Sequence, residues 1–507
     1  MSMGRHREKQ QPLWLGPGEL PRSPGHRFYE KLDELLREAD FDRKVEALCA
    51  EHYEDDGTGG RPSIAPGLYF RMLFIGYFEG IESERGLEWR CSDSLSLRDF
   101  LGLVPKERVP DHSSLSRIRK RLKGDVYSEV FRLVLGIVEH KGLLKGKVAG
   151  VDSTYLRADA SMKAIVRKDT GQTYQEYLKK LAEAEGITNP TVEDCRRIDR
   201  KRKGKRTSNK DWKSKTDPGA RIMKLKDGRT RLAYKAEHVV DMETGAVLAA
   251  EIYAADQGDT ATITPSLENA RTNIAATAAN APSRAPTRTE DNSDPPPPSA
   301  TSTGSTAAPG DAAASPPDSL RRGAAVLEVV ADKGYHKAEL LRDLKQAEYR
   351  TYISVPKKTA KYRWTDKGGI YTERAYYGNR ERVGRAKGRT LMRKRGELIE
   401  RTFAHICETG GHRRVRLRGH DNLRKRYLMQ VAGMNLGLVM RATLGRGTPR
   451  GLAEARKGLW VLVFVLEAVV AAVAAVHAWV RRVLWDRLGT LTDARGWGMG
   501  LAPSMIG

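Results

Sequence analysis

Between Ala281 and Leu320 the chain places nine of its 23 prolines, no aromatic residue and a single large aliphatic, Leu320. Such a stretch cannot bury a core, so it reads as a disordered linker over 276–320. Apolar runs lie on both sides of it, and a domain that contains it must close its core across the gap. That closure is inexpensive, because its entropy cost grows only logarithmically with loop length. Before the linker, Lys147-Val-Ala-Gly-Val-Asp152 is a short apolar run ending in a carboxylate. Tyr234 to Asp241 and Ala246 to Tyr253 flank a Met-Glu-Thr-Gly turn and predict a hairpin. After it, Ala325 to Ala331 ends in Asp332, Tyr349 to Val355 predicts another strand, and Arg393 to Cys407 predicts a helix. Strands separated by helices make an α/β core, with a first part at 145–275 and a second at 321–445.

The remaining pieces differ in period. An N-terminal extension, 1–60, precedes a helical domain at 61–125, where Ile64, Leu68, Met72, Ile75 and Phe78 keep one face apolar. Near its end, Ser94 to Leu101 predicts a short helix and Val109 to His112 a break. Ser113 can cap a second helix through Leu122. Leu115, Ile118 and Leu122 form its inner stripe, leaving Arg117, Arg119, Lys120 and Arg121 outside. The pair is a helix-turn-helix candidate, and a solvated basic face on an ordinary bundle helix fits the pattern equally well. A basic insertion at 193–220 interrupts the α/β core: Arg196 to Thr216 carries 11 Lys/Arg against two Asp, with only Ile198 and Trp212 as large apolar residues. It cannot bury a core of its own and reads as a phosphate-contacting excursion.

Charge narrows the function. With 89 Lys+Arg against 64 Asp+Glu the net charge is +25, which calls for a polyanionic partner, nucleic acid first and an anionic membrane second. Only Cys49, Cys91, Cys195 and Cys407 are present, none at metal-ligand spacing, which excludes a disulfide scaffold and a zinc finger and suggests a reducing compartment. Met1 to Gln11 is polar and lacks an apolar signal region, so the expected location is the cytoplasm, in association with the nucleoid. Within the tail, 446–507, the apolar segment 459–480 would rise about 33 Å as a helix, enough to span a bilayer. Glu467 near its middle and its many Ala and Val residues argue against insertion. A helix packed on another subunit or on the core, or an irregular tail, is expected instead.

Asp152 and Asp332 each end a predicted strand, and Glu400 lies on the helix after the last strand, with Phe403 and Ile406 available to hold that helix on the sheet. Hard divalent cations take carboxylate oxygens, so three acids can outline a metal-dependent phosphoryl-transfer site. Taken singly, an Asp at a strand end is more often a turn or cap residue. His112, His238, His336, His405 and His412 form no close pair at ligand spacing, and none is given a catalytic role.

Three blocks in order, Val151 to Ser161, Val330-Ala-Asp-Lys-Gly-Tyr-His336 and Ile399-Glu-Arg-Thr-Phe-Ala-His405, resemble the active-site blocks of bacterial insertion-sequence transposases of the Asp-Asp-Glu type. Val109 to Ser116 resembles the end of that family's N-terminal DNA-binding domain, and Asn422 to Leu436 its closing helix. The resemblance spans Arg61 to Arg441. It implies an RNase H-like mixed sheet flanked by helices, with an all-α N-terminal DNA-binding domain. It further implies Asp152, Asp332 and Glu400 as ligands of two Mg²⁺ (or Mn²⁺) ions, Asp152 bridging both, for strand cleavage and strand transfer. The partners implied are DNA, as element terminal inverted repeats and target, and further copies of the chain in a homo-oligomer, with no membrane role. Arg401, Arg413 and Arg414 stand near the third ligand and suit flanking phosphates, as Arg117, Arg119 and Lys120 suit the element ends. Related enzymes place an Arg four residues before the catalytic Glu; here Gly396 holds that position and Arg395 is one residue off. Glu397, with Arg393 four residues before it, is therefore the competing third ligand. A non-catalytic DNA-binding protein from a decayed element is the alternative, and acids set among phosphates count against it.

Overall fold

The computed structural model describes residues 24–53, 63–104, 106–201, 208–225, 228–279, 326–356 and 369–454, and in the tail 467, 469, 470 and 472–482. The linker 281–320 lies outside the described residues. The first of two compact units is Met1–Pro449 and the second Arg450–Gly507.

The strands are β1 (Val148–Arg157), β2 (Ile165–Arg167), β3 (Trp212–Ser214), β4 (Arg221–Lys224), β5 (Thr230–Asp241), β6 (Val247–Ala254), β7 (Glu328–Ala331) and β8 (Arg350–Ile353). The main sheet runs β4-β5-β1-β7-β8, with β6 also on β5. β1 is antiparallel to β5 and parallel to β7, and β7 is parallel to β8. This is the RNase H-like mixed sheet that the resemblance implies. β1 does not end at Asp152, as its apolar run suggested. Pairing with β7 stops at Val151↔Ala331, whereas pairing with β5 continues from Asp152↔His238 to Arg157↔Ala233. The polar half of β1 is held by one neighbour only, and an apolar run cannot report it.

Helices α1 (Pro24–Glu38), α2 (Phe41–Cys49), α3 (Pro66–Glu79), α4 (Glu84–Ser92), α5 (Leu95–Phe100), α6 (His112–Arg121) and α7 (Gly124–His140) precede the sheet. α8 (Tyr174–Ala184) and α9 (Val192–Lys201) lie between β2 and β3, and α10 (Asp259–Ala279) follows β6, continuing four residues into the segment read as linker. α11 (Ala338–Gln346), α12 (Gly369–Gly384), α13 (Ala386–Glu408) and α14 (His420–Leu444) complete the unit. One face of the sheet buries Ala149, Val151, Val329 and Ala331 against Ile263 and Leu267 of α10 and Leu341 of α11. On the other, Met242, Val330 and Tyr352 pack against Leu391, Met392 and Leu398 of α13.

Five sequence expectations change. The first helices are not an extension: buried Arg71 of α3 pairs with Asp33 of α1 and Asp42 of α2 and donates to the Phe100 carbonyl, so helical packing begins at Pro24. Nor do the N-terminal helices stand apart, because α14 runs among them. A Cβ at Gly433 would lie 2.9 Å from the Tyr77 ring, and Arg426 Nη2 donates to the Ile81 carbonyl at 2.9 Å. α5 and α6 are joined by residues 101–111 rather than by the 3–4-residue turn of a helix-turn-helix, and α6 packs on α4. Asp111, not Ser113, caps α6, accepting from the Ser113 and Ser114 amides at 2.8 and 3.0 Å. Finally, the basic insertion shares a small core with α8: Cys195, Ile198 and Trp212 are buried with Leu178 and Ala182, and Trp212 meets Tyr174 and Tyr177 edge-on. Its own two large apolar residues are too few, and α8 supplies the rest. Residues 202–207 of its basic run lie outside the described residues.

In the second unit, residues 472–482 are helical, with Val473, Val476 and Trp479 exposed. Residues 459–466, 468 and 471 of the apolar run lie outside the described residues. Among the described residues no helix is long and apolar enough to cross a membrane.

Candidate active site

Register brings two of the predicted ligands together. Val151 pairs with Ala331 in the parallel ladder, so Asp152 on β1 and Asp332, the first residue past β7, follow side by side. Both share a face with Gly150 and Val330, the face covered by α13. A Cβ on Gly150 would fall 2.5 Å from Met242 Sδ and 2.8 Å from Ile399 Cδ1, so only glycine lets α13 sit this close behind Asp152.

Arg395 of α13 lies across the two acids. Its Nη1 donates to Asp152 Oδ2 at 2.7 Å, its Nη2 stands 3.9 Å from Asp332 Oδ1, and its side chain is 12 % exposed. The Ser153 amide also donates to Asp152 Oδ1, at 2.8 Å. Burial raises the Asp152 carboxyl above its ordinary range, and the Arg395 charge opposes that shift. One guanidinium balances one of two carboxylate charges, and Arg395 Nε has no hydrogen-bond partner. The pair is therefore left with anionic character and hard oxygen donors, which suits a divalent cation.

Glu400 is exposed on α13, five residues beyond Arg395, and makes no hydrogen bond or ion pair among the described residues. Glu397, the competing acid, is taken up by Arg401 at 2.7 Å. No group of three acidic, histidine or cysteine side chains among the described residues is gathered closely enough to hold a metal ion. The structure thus joins Asp152 to Asp332 and leaves Glu400 separate on the helix that carries Arg395.

Two buried networks hold these elements, and neither was read from the sequence. Behind the sheet, on the α10 side, Glu237 accepts from Tyr335 Oη at 2.9 Å, Thr262 Oγ1 at 2.7 Å and Ser266 Oγ at 2.6 Å. Lys235 pairs with Asp259 at 2.7 Å, and Ser153 Oγ donates to Asp259 at 3.1 Å. The residue after Asp152 and the turn after Asp332 are both tied to this cluster. Alternation on β5 is the one signal that could have found it, since Lys235 and Glu237 share the face of Val239 in an apolar strand.

On the α13 side, His238 stacks on Phe403 with centroids 4.3 Å apart. Thr402 Oγ1 donates to the Ile399 carbonyl at 2.8 Å, so it accepts from His238 Nδ1–H at 3.0 Å. Nε2 then accepts from Tyr427 Oη–H at 2.7 Å. Complete burial pushes the imidazole down to about 3, so it is neutral. Through these bonds His238 locks the Glu400 turn of α13 to β5.

The predicted DNA contacts divide. Arg117 and Lys120 are exposed on α6, whereas Arg119 is turned inward to Glu84. Arg401 pairs with Glu397, Arg413 with Glu408 at 3.1 Å and Arg414 with Asp159 at 3.0 Å, all with exposed guanidinium groups.

Two family models match the chain. One, described as Transposase domain (DUF772), covers residues 20–121, and the other, Transposase DDE domain, covers 316–436. Asp332, Arg395 and Glu400 fall inside the second match, and Asp152 inside neither. No curated protein and no solved structure matches at significance.

Proposed function

Since the chain joins a DUF772 transposase domain to a transposase DDE domain and is a transposase of the DDE type, we propose that it cuts the ends of a mobile DNA element and joins them to target DNA. The observation that carries this reading is the side-by-side placement of Asp152 on β1 and Asp332 just past β7, with Arg395 of α13 across them.

Asp152, Asp332 and Glu400 are the residues that would hold Mg²⁺ or Mn²⁺. A divalent ion bound there supplies a lowered pKa for an attacking water or 3′-hydroxyl and charge stabilisation for the leaving oxygen. Asp152 and Asp332 keep their oxygens on one face of the sheet, and the Lys235, Glu237 and Asp259 network holds the backbone that carries them. Glu400, unlike Glu397, has no cation to release before it can act as a ligand. Arg413 and Arg414 suit the phosphates of the cut strand, and Arg117 and Lys120 those of the element end.

Purified full-length chain incubated with Mg²⁺ and DNA carrying the element's own ends tests the reading. Asp152→Asn, Asp332→Asn and Glu400→Gln should each lower cleavage by more than about 100-fold, beyond what loss of an outer-sphere partner costs. DNA binding should stay intact or tighten, because a like charge facing phosphate is removed. Activity in Glu400→Gln together with its loss in Glu397→Gln would move the third ligand to Glu397. Binding without any Mg²⁺-dependent cleavage by the wild type would leave a DNA-binding protein alone.

A further inference from the structure

Two arginines of this unit are almost equally buried and are held very differently. Arg71, with its side chain 7 % exposed, donates to both oxygens of Asp42, to Asp33 and to the Phe100 carbonyl, four hydrogen bonds at 2.7–3.0 Å. Arg395, 12 % exposed, makes one, to Asp152 Oδ2 at 2.7 Å. Its Nη2 stands 3.9 Å from Asp332 Oδ1, beyond hydrogen-bond reach, and its Nε has no hydrogen-bond partner. A guanidinium offers five N–H donors, and buried donors left unmet cost free energy. Arg71 is a fixed brace between helices, whereas Arg395 is retained by charge more than by hydrogen bonds.

Charge is what the two acids require. Among the described residues no other cation pairs with Asp152 or Asp332. One guanidinium cancels one of their two negative charges, and a divalent ion in its place cancels both. The acids are also the more open partners, with side chains 27 % and 45 % exposed, so an ion can reach their oxygens from solvent while Arg395 meets them from α13. A fixed positive charge a few ångströms from a divalent ion repels it strongly where water is partly excluded. The two cations therefore compete for one pair of carboxylates.

We propose that Arg395 is a resident counter-ion, which holds Asp152 and Asp332 together before a divalent ion arrives and is exchanged for that ion when it binds; the inference rests on the reading above that these acids hold Mg²⁺ or Mn²⁺. Arg395 is in this sense a positioning residue that acts through the acids. It keeps two like charges side by side in the metal-free chain, and its single hydrogen bond is what the incoming ion displaces. The sign of its effect separates this role from the usual one. A partner that merely orients a metal ligand strengthens metal binding, and its loss weakens affinity about 10–100-fold. Loss of a competitor tightens it.

The test is Mn²⁺ binding to the full-length chain without DNA, read from the electron paramagnetic resonance signal of the free ion. Arg395→Gln should bind Mn²⁺ at least about tenfold tighter than the wild type. Arg395→Lys, which keeps the charge, should stay within about threefold of the wild type. Arg395→Gln combined with Asp152→Asn should lose the gain. Without metal, Arg395→Gln should melt below the wild type, and saturating Mn²⁺ should raise its midpoint more than it raises the wild type's. Arg395→Met, of similar length and without charge or donors, is measured beside it, so that the result does not hang on one side chain. Equal or weaker Mn²⁺ binding in both neutral variants, or a low midpoint in both that Mn²⁺ does not recover, would overturn the proposal and leave Arg395 an orienting or structural partner, with the metal reading intact. Absence of acid-dependent Mn²⁺ binding in the wild type and every variant would overturn the metal reading itself, and this inference with it.

Discussion

Gly150 decides how near α13 comes to the acids. Its own conformation is ordinary; what matters is the space that a side chain would fill between Met242 and Ile399. Gly150→Ala inserts one methyl into a packed layer, at a cost of about 1–3 kcal/mol for overpacking. The displaced helix carries both Arg395 and Glu400, so cleavage should fall while DNA binding persists. Denaturant unfolding and a cleavage assay on the same variant check the pair of effects, and wild-type values in both would mean that Met242 and Ile399 relax without moving α13. The sequence displays Gly150 inside an apolar strand, but nothing local names the helix that needs the gap.

At the scale of elements, α13 and β5 are joined by a relay of fixed direction, from Tyr427 through His238 and Thr402 to the Ile399 carbonyl. A protonated His238 could no longer accept from Tyr427, so the relay needs the neutral ring. The folded imidazole titrates near 3 and the unfolded one near its ordinary 6.5. Below pH 6.5 the unfolded chain therefore binds a proton that the folded chain refuses. Stability from this group is complete above pH 6.5 and declines as pH falls toward 3, by up to about 1.4 kcal/mol per pH unit. His412, fully buried and lowered to about 4, adds in the same direction. His238→Phe should be less stable at neutral pH, having lost two hydrogen bonds, yet lose less on acidification. Urea unfolding between pH 7 and 4 measures the slope, and a slope equal to the wild type's would assign the acid lability elsewhere. Neither histidine stood out in the sequence, where a lone His in an apolar stretch carries no sign of its partners.

For the whole molecule, the compact unit that closes at Pro449 contains the sheet, both buried networks and the bundle formed by α3, α7 and α14. A chain truncated after Pro449 should melt at the same temperature as the full chain, with the same cooperativity. A lower midpoint or aggregation on heating would show that residues 450–507 contribute to the fold. The surplus of +25 acts at this scale too: it predicts strongly salt-dependent DNA binding that no single substitution removes.

Local pattern was enough for β1, β5, β6, β7 and β8, the hairpin between β5 and β6 and the helix bearing Glu400, because alternation and helical period are written in consecutive residues; it did not mark the short strands β2, β3 and β4. It was not enough for the end of β1, where pairing with β5 outlasts the apolar run. Nor could it place Arg395. Counted along the chain, that arginine is one residue out of step with Glu400; in the fold, Ile399, Thr402 and Ile406 face the sheet and carry Arg395, one turn earlier, onto Asp152 and Asp332. The merging of α14 with the first helices and the network behind the acids likewise join residues tens to hundreds of positions apart. Such contacts are set by which faces meet when the core closes, and that choice leaves no period in the sequence.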